Sequence, residues 1–133
     1  MTDPSGKRSS SPAELRPQSA PVVMMRLVGF LDAEQVRKAT TTASEQLDRL
    51  GLGRLLVDCS RMDDYEGEAR RLFTEWNAKN KHRVQGVAVV TDKLLWHMVV
   101  STIGLASSQT MKAFSDIDEA YGWLAGLTTS KRR

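Results

Sequence analysis

At 133 residues the chain fits one domain, since typical domains run to roughly 100–150 residues, and the 41% hydrophobic content suffices for one core. No apolar run approaches the ~20 residues of a membrane helix, and residues 1–21 lack the apolar centre of a secretory signal. A single cysteine, Cys59, with only two histidines, excludes an internal disulfide and argues against a structural zinc site; a reducing cytoplasm is the expected compartment. The net charge of +3 does not mark a nucleic-acid binder. Residues 22–127 hold 13 Lys+Arg and 14 Asp+Glu, whereas such a binder concentrates basic residues on its folded body.

Residues 1–21 contain all four prolines and five serines and too little apolar surface to offset ordering, which predicts a disordered tail. Residues 22–28 (VVMMRLV) have strand composition, closed by Gly29. Asp32 and Gln35 have capping-box spacing, and Val36, Ala39, Ala43, Leu47 and Leu50 form one helical stripe ended by Gly51. Residues 54–59 (RLLVDC) read as a strand covered on both faces, and residues 60–67 as an acidic loop. Ala69, Leu72, Phe73 and Trp76 predict a second amphipathic helix ending at Asn80 or Lys81.

Residues 84–91 (VQGVAVVT) are the next buried strand, with Gly86 marking a bulge or a close backbone approach. Leu94, Leu95, Met98, Val99 and Ile103 give a third helical stripe, expected to face the core. Residues 109–114 form a polar strand near an edge. Ser115 or Asp116 caps a last helix with Ile117, Ala120, Tyr121, Leu124 and Leu127 on one face. The order β-α-β-α-β-α-β-α predicts an α/β fold: a small, mostly parallel sheet of four or five strands with about four helices and right-handed crossovers, in two or three layers. The domain is expected over residues 22–127, and residues 128–133 as a basic tail.

Three blocks in this order, LLVDCSRMDDYEGEARRLFTEW (55–76), VAVVTD (87–92) and KAFSDIDEAYGWL (112–124), resemble the SpoIIAA-like group of STAS-type domains, related to anti-sigma-factor antagonists. Asp58 at a strand end and the closing Phe114, Glu119, Ala120, Trp123 and Leu124 carry most of the likeness. The resemblance implies a non-catalytic regulatory module with a mixed sheet and helices mainly on one side. Phosphorylatable STAS members carry an Asp-Ser pair at the start of the helix after the Asp58-type strand. Here that spacing falls on Glu66 and Gly67. The phosphorylatable serine is missing, and Asp63, Asp64, Glu66 and Glu68 suggest a constitutive acidic surface instead.

The candidate partner-binding residues are Asp58, Ser60, Asp63, Asp64 and Glu66 at the strand end, with Trp96 and His97 as an exposed pair. Each has a structural alternative. Asp58 can cap a turn, the acidic residues can favour a helix N-terminus, and Trp96 and His97 can flank an apolar face. Cys59 reads as a buried, unreactive thiol. No catalytic residues, cofactor or metal are expected. The expected function is a regulatory protein-interaction module with a protein partner or a second copy of the chain. The alternative is a carrier of a lipid or small apolar ligand, with Met24, Met25, Met98 and Met111 lining a cavity.

Overall fold

The computed structural model describes residues 20–127; residues 1–19 of the expected N-terminal tail and the basic segment 128–133 lie outside them. The elements follow in the order β1 (Val22–Leu31), α1 (Ala33–Leu50), β2 (Gly53–Tyr65), α2 (Gly67–Asn80), β3 (Val84–Val90), α3 (Leu94–Ser107), β4 (Met111–Phe114) and α4 (Ile117–Gly126). The four strands form one sheet in the order β1-β2-β3-β4, every neighbouring pair parallel. Among the described residues the sheet is therefore wholly parallel, not mixed.

Because the strand order never reverses, right-handed crossovers carry α1, α2 and α3 to the same face. The larger core lies there, with Val23, Met25, Leu55, Val57, Val87 and Val89 of the sheet against Val36, Ala43, Leu47, Ala69 and Val100 of the helices. Among the described residues only α4 covers the other face, packing Ala120 and Leu124 on Leu56, Ala88 and Val90. Arg54, itself buried, pins α4 by donating to the carbonyls of Leu124 at 2.6 Å and Leu127 at 2.7 Å. Among the described residues nothing covers the far side of β1, where Val28 and Phe30 stand exposed.

Local chemistry sets the boundaries. The Asp32 carboxylate accepts from the Gln35 N–H, and the Gln35 side chain accepts from the Asp32 N–H, both at 2.9 Å, which completes the expected capping box. Gly51 closes α1 with its N–H on the Leu47 carbonyl. The β3 bulge at Gly86 is present as a register shift. A Cβ at that position would lie 2.4 Å from Leu127 Cδ1, so the glycine also admits the residue that follows α4.

Three expectations need correction. Gly29 does not end β1; with φ at 74° it sits between two bulges, and the strand continues to Leu31. Residues 60–65 are not a loop. They extend β2 as a two-stranded ribbon with β1, pairing Val28 with Arg61, Gly29 with Met62, Phe30 with Asp64 and Leu31 with Tyr65. Third, α3 is turned from the expected orientation. Val100, Ile103, Gly104 and Ser107 face inward, while Leu94, Leu95, Met98 and Leu105 are 74%, 76%, 68% and 84% exposed.

Candidate functional site

In parallel α/β sheets ligands gather at the carboxyl ends of the strands. Here that end comprises the β1–β2 ribbon, the turn after β3 and the first turns of α2 and α3. Asp58 on β2 lies beside Arg26 on β1. Its Oδ1 accepts from the Ser60 N–H at 3.0 Å and the Ser60 hydroxyl at 2.6 Å, and its Oδ2 lies 3.4 Å from Arg26 Nε. Burial works against its ionisation, but the Ser60 hydrogen bonds and the Arg26 charge outweigh it and hold the carboxyl below its usual range. Asp58 and Ser60 thus form one turn-fixing unit, with the Ser60 hydroxyl committed to the carboxylate.

The four acidic residues do not act as one cluster. Glu66 accepts from the Ala33 N–H at 2.8 Å, so it caps the first turn of α1 rather than facing a partner. Glu68 pairs with Arg71, which also pairs with Glu75. Asp64 accepts from its neighbour Tyr65 N–H at 2.8 Å, and Asp63 falls on the second β2 bulge. Of the four, only Asp63 and Asp64 stand exposed on the ribbon, which also carries the exposed Arg61.

Trp96 and His97 are half-buried, not a protruding pair. Trp96 packs against the core and meets Tyr65 edge-on, with centroids 5.5 Å apart. The Lys93 ammonium sits 4.8 Å from the Trp96 ring centroid and donates to the Met62 carbonyl. His97 Nε2 lies 2.9 Å from the Thr91 carbonyl. A carbonyl can only accept, so Nε2 carries the proton. These contacts fasten the start of α3 to the ribbon and to the end of β3, and through Tyr65 and Lys93 they join the two predicted groups of residues at one edge.

Beneath that edge lies a partly open cavity of about 70 Å³, walled by Leu27, Leu31, Val57, Cys59, Met62 and Tyr65 of the sheet and ribbon, Phe73 of α2, and Trp96, Val99 and Ile103 of α3. Arg70 is the single charged residue in its lining. Burial, followed by the charge of Asp58, pushes the Cys59 thiol up to about 12, so it is a poor nucleophile. None of the methionines expected to line a cavity lines this one: Met25 is in the core, Met24 and Met98 face solvent, and Met111 lines a separate open groove beside Gly104 and Leu105. Met62 takes that place, and neither it nor Tyr65 stood out while residues 60–67 read as a loop.

Among the described residues, no helix is long and apolar enough to cross a membrane, and no group of three or more His, Cys, Asp or Glu is placed to hold a metal ion. The features that sequence reasoning missed are this cavity and the exposed face of α3. The signal for the second was present: residues 94–107 (LLWHMVVSTIGLAS) contain no Asp, Glu, Lys or Arg, and a helix that is apolar all round presents apolar side chains outward as well as inward.

No curated protein matches the chain. An uncharacterised protein from Shewanella loihica PV-4 with a SpoIIAA-like fold superposes with a TM-score of 0.62 at 21% identity, covering 76% of this chain and 81% of that one. The model of the SpoIIAA-like family matches residues 22–125. With that match across most of its length, the chain belongs to the SpoIIAA-like family, a STAS-type α/β domain.

Proposed function

We propose that the domain, taken as residues 22–127, is a non-catalytic regulatory protein-interaction module acting in the cytoplasm, and that its docking surface is the outer face of α3. The observation that carries this reading is the exposure of Leu94, Leu95, Met98 and Leu105 on one charge-free helix. Contiguous exposed apolar surface of this kind marks interaction sites. The acidic surface contributes only through Asp63 and Asp64 on the adjoining ribbon, because Asp58 and Glu66 are spent on internal contacts. A non-catalytic role accords with a Ser60 hydroxyl held by a carboxylate and a buried, protonated Cys59.

The test is photo-crosslinking in cells, with a benzophenone side chain at Met98, at Asp63, or at Arg37 on the outer face of α1 as a control. Adducts from position 98 alone, or from 98 and 63, support the reading. Adducts only from 63 return the docking surface to the acidic ribbon. Adducts equally from 37 show no preferred face.

The cavity favours a second reading, a carrier or sensor of a small apolar ligand. Its 70 Å³ is about half the ~150 Å³ that accommodates benzene in an engineered core, so it suits a short aliphatic group. Native mass spectrometry of the purified chain distinguishes the two: a reproducible small-molecule adduct supports the carrier, and a clean apo mass over several preparations counts against it.

A further inference from the structure

We infer that the outer face of α3 is a self-complementary contact through which two copies of this chain pair, α3 against α3 in antiparallel sense. The inference rests on the docking-face reading and names its occupant. Leu94, Met98, Ser101 and Leu105 follow one another at spacings of four, three and four, all exposed, which is the seam spacing of packed helix pairs. Leu95, Thr102 and Ala106 flank this seam, and the small Ser101 within it lets two backbones approach.

Charge selects a second copy over other occupants. A two-fold contact sets a patch against itself, so any charge on it meets its own like charge; α3 carries none. A helix that lies on a membrane surface instead bears Lys and Arg along its polar face. The basic residue at the start of α3, Lys93, is already engaged with Trp96 and the Met62 carbonyl. Antiparallel packing also sets the positive end of each helix dipole against the negative end of its partner.

The area is consistent with a weak dimer. At roughly 100 Å² per large aliphatic side chain, four such residues from each copy bury about 800 Å². Ser101, Thr102 and Ala106 bring the contact near the ~1,000 Å² at which specific interfaces begin. The dissociation constant is therefore expected on the order of micromolar.

Sedimentation velocity of the full chain, from about 1 to about 300 µM, tests this. The expected result is a concentration-dependent shift from monomer to dimer. Met98→Glu or Leu105→Glu should abolish the shift, weakening association at least about 100-fold, with circular dichroism and the unfolding midpoint unchanged. Mixing Met98→Glu with Met98→Lys should restore dimers. A wild-type chain that stays monomeric across the range overturns the pairing; if Met98 still yields crosslinks to another protein, the docking-face reading survives. Dimers that persist in both glutamate variants place the contact elsewhere and overturn the pairing.

Discussion

α1 and α3 cover the same face of the same sheet, yet their outer surfaces are finished differently. α1 buries Val36, Ala43 and Leu47 and turns Glu34, Arg37, Lys38, Glu45, Asp48 and Arg49 to solvent. α3 buries Val100, Ile103, Gly104 and Ser107 and turns leucines and a methionine outward. Covering the sheet therefore does not require an apolar outer surface, since α1 does it with a charged one. Among the described residues the apolar side chains outside α3 are left largely uncovered, and on the proposed reading that difference separates a structural helix from a contact helix.

The contrast is broken most severely by changing the inner face of α1. Leu47 is 1% exposed, and Leu47→Ala should cost about 2–5 kcal/mol, read as a fall in the urea midpoint. The matching change outside α3, Leu95→Ala, should alter monomer stability by no more than about 0.5 kcal/mol when measured at low micromolar concentration. Comparable losses for the two would mean that the outer face of α3 is packed within the chain.

Next in size is Asp58. Its carboxyl lies below the usual range in the folded chain, so its contribution is present above the unfolded carboxylate pKa, about 3.9, and fades as pH falls toward the lower folded value. Asp58→Asn should destabilise by about 1–2 kcal/mol at pH 7 and by less near pH 3, a narrowing that urea titrations at the two pH values would record. A cost independent of pH would show that the carboxylate's charge is not what matters.

A smaller effect is expected at the α1 cap. Asp32→Ala removes half of the capping box and should cost about 1 kcal/mol. Lys93 precedes α3 at the N-cap position without a side-chain cap, so Lys93→Ala tests other contacts, those with Trp96 and the Met62 carbonyl. It should loosen the first turn of α3, seen as faster amide exchange there, with a smaller change in global stability. The smallest expected effect concerns Cys59: raised to about 12 by burial, it should react with a thiol reagent only when the chain is unfolded in urea.

The parts of the molecule legible in the sequence were those where one signal spoke alone. The α1 capping box and stripe, the buried runs of β2 and β3, and the Asp116 cap of α4 each combine a period with a boundary residue. α3 was legible as a helix but not in its orientation, because apolar residues on every side leave periodicity nothing to discriminate. Close packing decides it instead. A Cβ at Gly104 would lie 3.2 Å from Met111 Cβ, so the small side of α3 approaches β4 and the large leucines turn away.

The ribbon was hidden for a related reason. Two bulges in β2 break the alternation that marks a strand, and the acidic composition of residues 60–66 suggests a loop. With the ribbon went Met62, Tyr65 and the cavity wall. The acidic residues were legible as a group but not in their uses, since the bond from the Ala33 N–H to Glu66 joins residues far apart in sequence.

The central claim, that two copies of the chain meet through the outside of α3, is tested most directly by methyl-labelled methionine NMR of the full chain over a concentration series. Met98 is 68% exposed on α3, and Met24 is 36% exposed on the opposite face of the sheet. The account predicts that the Met98 methyl resonance shifts and broadens with concentration while Met24 stays fixed. Movement of Met24 with Met98 unchanged would contradict it and assign the contact to the outer side of β1.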